Sequence, residues 1–145
     1  MKTLQINQID RDISVAPQIV ASDIITIANA GFKTIICNRP DGEGSDQQSF
    51  ADIETAARAS DISIIYQPVD GKNVSDEDGV EFGKLLDLAV KPVLAYCRTG
   101  TRCTVLWCLS KSGELPAKEI ISMAATAGYD VSGITTRLSS QVQSG

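Results

Sequence analysis

The sequence contains no histidine. This absence excludes the Ser-His-Asp and Cys-His arrangements of nucleophilic catalysis, in which an imidazole accepts the proton. It also removes a ligand that common zinc sites need, and the four cysteines form no C-x-x-C pair. Any acid or base must therefore be Asp, Glu, Tyr, Lys or a second cysteine, and we expect no metal and no cofactor.

Long apolar runs are absent as well. No segment approaches the ~18 to 20 apolar residues that a membrane span requires, and the first residues lack the profile of a signal peptide. We therefore predict a cytoplasmic protein without a membrane partner. In that reducing compartment the cysteines are expected to be free thiols.

Positive charge is also scarce, since 13 Lys and Arg face 18 Asp and Glu, for a net charge of −5. This balance argues against a nucleic-acid partner, because phosphate backbones are bound by clustered basic side chains. A single positive pocket for a small anion remains compatible with an acidic exterior. With 145 residues, 43% of them hydrophobic, the chain is predicted to form one domain over residues 1–145.

Strand-like and helix-like segments alternate along the chain. We predict helices at 22–31, 47–60, 75–89, 103–113, 116–128 and 131–142, and strands at 3–6, 13–15, 32–37, 62–66 and 91–96. This order implies an α/β fold with a central, mostly parallel sheet of four or five strands flanked by helices. Ligands bind such sheets at the carboxyl ends of the strands, where the loops 38–45, 67–73 and 97–102 are expected to meet.

The loop from Cys97 to Arg102 carries the most specific chemistry. It joins a β-rich run to a helical pattern, so its N–H groups can converge at a helix N-terminus, and Gly100 lets the backbone turn them inward. The helix dipole and Arg102 both favour the thiolate of Cys97, which is the nucleophilic form. Thr99 and Thr101 complete a cradle in which N–H groups and the guanidinium could bind an oxyanion that the thiolate attacks.

The residues 97–102 resemble the active-site loop of rhodanese-type sulfurtransferases, whereas the remaining layout resembles the dual-specificity branch of cysteine phosphatases. The combination resembles a bacterial family, the phosphatase-like domain associated with β-lactamase-like hydrolases, for which sulfurtransferase activity has also been suggested. The likeness extends over residues 16–18, 30–33 and 38–43 to the Cys97 loop. It implies a cysteine-phosphatase-like fold and a possible partner, a persulfide-oxidising metallo-β-lactamase-like enzyme.

Loop length distinguishes the two chemistries. The phosphatases that the chain resembles place five residues between cysteine and arginine, whereas this chain has four, as many rhodanese-type enzymes do. A smaller ring suits a single sulfur better than a phosphoryl group. We therefore predict a sulfurtransferase that moves sulfane sulfur from a small donor, thiosulfate or glutathione persulfide, through a Cys97 persulfide.

Two alternatives stay open. The first is a phosphatase of the tyrosine or dual-specificity type, which would act on a phosphorylated substrate through a Cys97 phosphocysteine. In that case the resemblance implies that Asp70, which follows the strand 62–66, protonates the leaving group, although Asp70 could also be a turn residue before Gly71. Asp41 lies in the sequence Pro40-Asp41-Gly42, and it could likewise be either the acid or a turn residue. The second alternative is a non-catalytic module that binds anions or senses thiols.

Two positions depart from the phosphatase pattern. Tyr96 occupies the place of a histidine before the nucleophile, and Cys103 occupies the place of a Ser or Thr after the arginine. Cys103 is either a resolving thiol for an oxidised or persulfidated Cys97 or a small residue at a helix start.

The other candidates surround the loop. Arg98 is predicted to attract an anionic substrate, and Arg39 to line the mouth of the pocket. Cys37 and Cys108 fit strand and helix patterns, and both are predicted to be buried as apolar residues.

Overall fold

The computed structural model describes residues 4–138, which form a five-stranded sheet with helices on both faces. The sheet order is β1-β2-β5-β3-β4, and all neighbours are parallel except the antiparallel pair β1 and β2. The predicted fold class is therefore confirmed. The strands are β1 (Asn7–Gln8), β2 (Ile13–Ala16), β3 (Thr34–Cys37), β4 (Ser63–Tyr66) and β5 (Val93–Tyr96).

In the part of the chain that the structure describes, five α-helices connect or follow the strands. Ser49 and Ser75 cap α2 and α3, and each side chain accepts a hydrogen bond from a backbone N–H three residues on. A 3-10 turn at Ala21–Asp23 leads into α1. The helices are α1 (Ile24–Asn29), α2 (Phe50–Ala59), α3 (Asp76–Leu88), α4 (Thr101–Ser110) and α5 (Ala117–Thr126).

The three inner strands, β2, β3 and β5, are buried throughout, so they are mostly apolar without alternation. Along β5, Val93 and Ala95 belong to one core cluster and Leu94 and Tyr96 to the other. The first cluster packs against α3, α4 and α5, and the second packs against α1 and α2. This pattern is typical of a parallel sheet covered by helices on each side.

Two secondary-structure predictions near the ends of the chain are wrong. The strand expected at 3–6 is wrong, because Leu4–Ile6 are not in a strand and β1 lies just after them. The Asp10 carboxylate accepts the N–H groups of Asp12 and Ile13, and this turn fixes the register of β1 on β2. The helix expected at 131–142 is a 3-10 helix over Ser132–Arg137, and positions 139–142 lie outside the described residues.

The sheet brings several loops to Cys97. Cys97 follows β5, the central strand, which pairs with β2 on one side and β3 on the other. Tyr96 lies opposite Ala16 and Cys37 in this register, so the loops after β2 and β3 begin beside Cys97. Among residues 4–138, no helix combines the length and apolar character needed to cross a membrane.

Truncating the core between the sheet and its helices should destabilise the protein. Leu94 is fully buried in β5, whereas Leu88 at the end of α3 is 86% exposed. We expect Leu94→Ala to lower the free energy of unfolding by ~2–5 kcal/mol through lost burial and a residual cavity. Leu88→Ala, the same truncation, should change it by less than ~0.5 kcal/mol. Urea denaturation measures both, and equal effects would contradict the core assignment.

Candidate active site

Cys97 lies at the bottom of the loop between β5 and α4, with only 1% of its surface exposed. The Gly100 N–H donates to the Cys97 sulfur at 3.1 Å. Gly100 has φ +94°, a left-handed conformation that a side chain would strain, and it directly precedes α4. The Cys97 sulfur therefore lies at the N-terminal end of a ten-residue helix.

The loop from Cys97 to Arg102 forms a ring, and hydrogen bonds from other residues hold its carbonyl groups on the outside. The Arg98 carbonyl accepts the Gln18 N–H at 3.2 Å, and the Thr99 carbonyl accepts the Tyr129 hydroxyl at 3.2 Å. Since the carbonyl and N–H of one peptide point in opposite directions, these outward bonds direct the next N–H groups inward.

The Gly100 carbonyl is also bound, whereas the N–H of the same peptide, that of Thr101, donates to the Thr99 hydroxyl at 3.4 Å. The Gly100 carbonyl accepts the Thr104 N–H at 3.0 Å and the Thr104 hydroxyl at 2.8 Å. Thr104 is fully buried, so this contact joins the loop to the first turn of α4.

These surroundings lower the pKa of Cys97 to about 6. The largest cause is a hydrogen bond from the Cys103 side chain, and the N–H groups of Cys103, Gly100 and Thr99 add to it against the cost of burial. A thiol with this pKa is mostly thiolate at pH 7.

Cys103 itself remains a thiol. Burial is the main reason that its pKa is raised well above the ordinary value, and the neighbouring Cys97 charge adds to the shift. Its S–H can therefore donate to the Cys97 thiolate. The resolving-thiol role of Cys103 stays a prediction.

Arg102 connects the Cys97 loop to its two neighbouring loops. One terminal nitrogen, Nη1, donates to the carbonyls of Asn38 at 3.3 Å and Val69 at 3.0 Å. The other, Nη2, donates to the Glu43 carboxylate at 3.0 Å. Its Nε is buried and has no hydrogen-bond partner within residues 4–138.

Glu43 is a site residue that the sequence analysis did not single out. Its Oε1 atom accepts from Arg102 and from Arg39 Nε, each at 3.0 Å. The Arg102 hydrogen bond is the largest cause of the lowered pKa of Glu43. The one available signal was its position in a charged loop after a buried strand.

A cavity of about 880 Å³ opens above these groups. Asp70 lines it together with Cys97 and Arg102, and the Asp70 carboxylate also accepts the Lys72 N–H at 2.9 Å. The structure thus places Asp70 in the turn that was expected and also at the cavity wall. Other predicted residues at this wall are Arg39, Arg98, Thr99 and Thr101.

Asp41, in contrast, serves a structural purpose. Its carboxylate accepts the Phe50 N–H at 2.7 Å, and its own N–H donates to the Tyr66 hydroxyl at 2.9 Å. Asp41 is not among the cavity-lining residues. These contacts hold the loop 38–45 against the start of α2 and support the turn interpretation.

All four cysteines are free and buried. Cys37 donates to the Arg39 carbonyl at 3.4 Å, and burial raises the pKa of both Cys37 and Tyr96. Burial also raises the pKa of Cys108, to about 12. The predicted burial of Cys37 and Cys108 is confirmed.

Comparison with protein families matches residues 5–114 to a family described as the phosphatase-like domain of beta-lactamase hydrolase-like protein. A beta-lactamase hydrolase-like protein from Agrobacterium fabrum is 31% identical over 143 residues, which cover 97% of this chain and 32% of that relative. The chain thus spans about a third of the length of the curated relatives it matches.

Solved structures share the fold. A candidate phosphatase from Neisseria meningitidis is 38% identical, with a TM-score of 0.82 over 90% of this chain and 94% of that one. The core catalytic domain of the PP-IP phosphatase of S. cerevisiae has a TM-score of 0.67 over 96% of this chain and 88% of that chain. At 11% identity, the second likeness concerns the fold alone.

Removing the Cys103 thiol should raise the pKa of Cys97, because the lost donor stabilises only the charged form. From its value of about 6, we expect a rise of about one unit in Cys103→Ala. Cys103→Ser keeps a donor and should titrate like the unmodified protein. Thiolate absorbance against pH, with Cys97→Ser as the blank, measures this. Cys108→Ala, which removes another buried thiol of α4, is the matched control, and an unchanged titration in Cys103→Ala would contradict the role.

Proposed function

The chain belongs to the family of phosphatase-like domains of beta-lactamase hydrolase-like proteins, and on that premise we propose that it is a cysteine-dependent phosphatase. The observation that carries the proposal is the Cys97 sulfur, which has a pKa of about 6 and accepts the inward N–H of Gly100 beside Arg102. Such a ring binds a tetrahedral oxyanion directly above the nucleophile. The proposed substrate is a phosphate monoester.

In the first chemical step, the Cys97 thiolate attacks phosphorus in line with the leaving oxygen. The S–P bond forms while the P–O bond breaks, which yields a phosphocysteine. The N–H groups around the sulfur lie where charge develops on the phosphoryl oxygens. Because the thiolate is already formed at neutral pH, no histidine is needed to remove a proton.

Arg102 is the proposed anion-binding side chain. Its guanidinium is held by the Asn38 and Val69 carbonyls, which fixes its plane without neutralising it. The buried Nε has no partner within residues 4–138, and an unsatisfied buried donor is costly. A phosphoryl oxygen could satisfy this donor, and it would compete with Glu43 for Nη2.

Asp70 is the proposed general acid. Its carboxyl lies at the wall of the cavity that holds Cys97, from which it could protonate the leaving oxygen in the first step. The resulting carboxylate could then accept a proton from the water that attacks the phosphocysteine. That attack breaks the S–P bond, releases inorganic phosphate and restores the Cys97 thiolate.

Phosphatase activity, which is an alternative in the sequence prediction, thus becomes the first candidate. The family and the fold of the solved relatives favour phosphatase chemistry over the predicted sulfur transfer. Four residues between Cys97 and Arg102 give the length of the loop but not the contacts that hold its shape. The ring is also shaped by contacts from residues outside it, Gln18 and Tyr129.

Sulfur transfer remains a second candidate because the four-residue spacing favours it. In this reaction the Cys97 thiolate attacks the sulfane sulfur of thiosulfate, forms an S–S bond and releases sulfite. With glutathione persulfide, the leaving group is glutathione. For this candidate we propose a cytoplasmic location and a persulfide-oxidising metallo-β-lactamase-like enzyme as the partner.

Kinetics with two aryl phosphates should test the first candidate. We expect hydrolysis to be lost in Cys97→Ser. In Asp70→Asn, where no general acid has to be protonated, kcat/KM should rise with pH up to about 6 as the thiolate forms. Asp70→Asn should slow phenyl phosphate by about 100-fold or more, and p-nitrophenyl phosphate by less, since that leaving group needs less protonation. Asp41→Asn keeps the acceptor for Phe50 and should retain full activity.

Persulfide labelling separates the candidates. Under the first candidate, incubation with glutathione persulfide should leave no sulfur adduct on Cys97 by intact mass. One added sulfur on Cys97, without hydrolysis of either aryl phosphate, would overturn the phosphatase proposal in favour of sulfur transfer. Full hydrolytic activity in Cys97→Ser would contradict both, and the absence of both activities would favour the non-catalytic module.

A further inference from the structure

We propose that Tyr129 is a positioning residue of this site, which orients the Thr99–Gly100 peptide so that its N–H points at the Cys97 sulfur. Tyr129 lies outside the residues 5–114 that match the family, and none of the site predictions includes it. The inference rests on the proposed role of Cys97 as the nucleophile. It goes further by assigning a side chain that touches neither substrate nor sulfur.

The peptide between Thr99 and Gly100 is held at both ends. Its carbonyl accepts the Tyr129 hydroxyl at 3.2 Å, and its N–H donates to the Cys97 sulfur at 3.1 Å. The peptide is planar and trans, so its carbonyl and N–H point to opposite sides. Holding the carbonyl outward therefore holds the N–H inward, and a rotated peptide would turn a carbonyl dipole toward the thiolate.

Glycine makes this peptide dependent on an external contact. Gly100 has φ +94° and, lacking Cβ, can rotate more freely than another residue would. A Cβ at Gly100 would overlap the Tyr129 hydroxyl, so the ring lies directly against the loop backbone. Of the outward contacts, Gln18 acts through its backbone and Thr104 belongs to α4, which leaves Tyr129 as the side chain that reaches the loop from a distant element.

Tyr129 is itself placed by the end of α5. Gly128 has φ +105°, its N–H donates to the Ala125 carbonyl, and the Tyr129 N–H donates to the Ala124 carbonyl at 3.0 Å. This is the pattern of a Schellman motif, which fixes the residue after the glycine. The Tyr129 hydroxyl also accepts the Asn7 side-chain amide at 2.8 Å, so its hydrogen is directed to Thr99.

Other groups also act on the thiolate, and the test must separate them from Tyr129. Cys103 and Arg102 approach Cys97 from α4, and Cys37 from the end of β3. Burial raises the pKa of Tyr129, so its hydroxyl is protonated and can donate in the neutral range. A change confined to Tyr129 leaves the other three groups in place.

Alkylation of Cys97 by iodoacetamide against pH tests the proposal without requiring turnover. In Tyr129→Phe, the rate at about pH 5.5 should fall by about threefold to tenfold, because less thiolate is present when one hydrogen bond to it is lost. The rate above about pH 9 should stay the same, since the thiolate is complete in both proteins. Tyr66→Phe, which removes a hydroxyl that binds Asp41 instead, should match the unmodified protein at every pH.

Asn7→Ala provides the second variant. It should lower the alkylation rate at about pH 5.5 by less than Tyr129→Phe does. Added to Tyr129→Phe, it should cause no further fall in that rate if Asn7 acts through the hydroxyl alone. Circular dichroism melts check that each variant folds. A Tyr129→Phe profile that overlays the unmodified one, or an equal Asn7 effect in both backgrounds, would overturn the proposal, whether or not the protein hydrolyses aryl phosphates.

Discussion

The site depends on one constraint, which is that neighbouring N–H groups of a short loop must point toward the same sulfur atom. Left alone, a loop of this length would turn its peptides in several directions. Here Gln18 after β2, Tyr129 after α5 and Thr104 in α4 each bind one loop carbonyl from outside. The inward N–H groups and the Cys103 thiol then stabilise the thiolate more than burial disfavours it.

The sheet supplies the geometry that these contacts require. Since β5 is central, the loops that follow β2, β3 and β4 all reach the loop that follows β5. Arg102 is bound by the Asn38 and Val69 carbonyls, so two of those loops orient the guanidinium. Glu43 adds a carboxylate between Arg39 and Arg102 and so offsets one of the two positive charges beside the cavity.

Local patterns predicted most of the fold. The buried strands that end at Cys37 and Tyr96 and the start of a helix at Ser75 depend on neighbouring residues, so they could be read in sequence. The resemblance to the phosphatase-like domain family is confirmed over residues 5–114. The hydrogen bonds from Gln18 and Tyr129, however, come from residues that are distant in sequence, and no local pattern indicates them. The donor role of Cys103 depends on the direction of its thiol. The four-residue spacing favoured the prediction of sulfur transfer because the spacing describes the length of the loop and not its shape.

The most direct test is to quench the turnover of phenyl phosphate with acid and to measure the intact mass of the protein. If the Cys97 thiolate attacks phosphorus, a single phosphoryl group should accumulate, and peptide mapping should place it on Cys97. Substrate hydrolysed by a protein that carries no phosphoryl group on Cys97, or that carries it on another residue, would contradict the phosphocysteine mechanism.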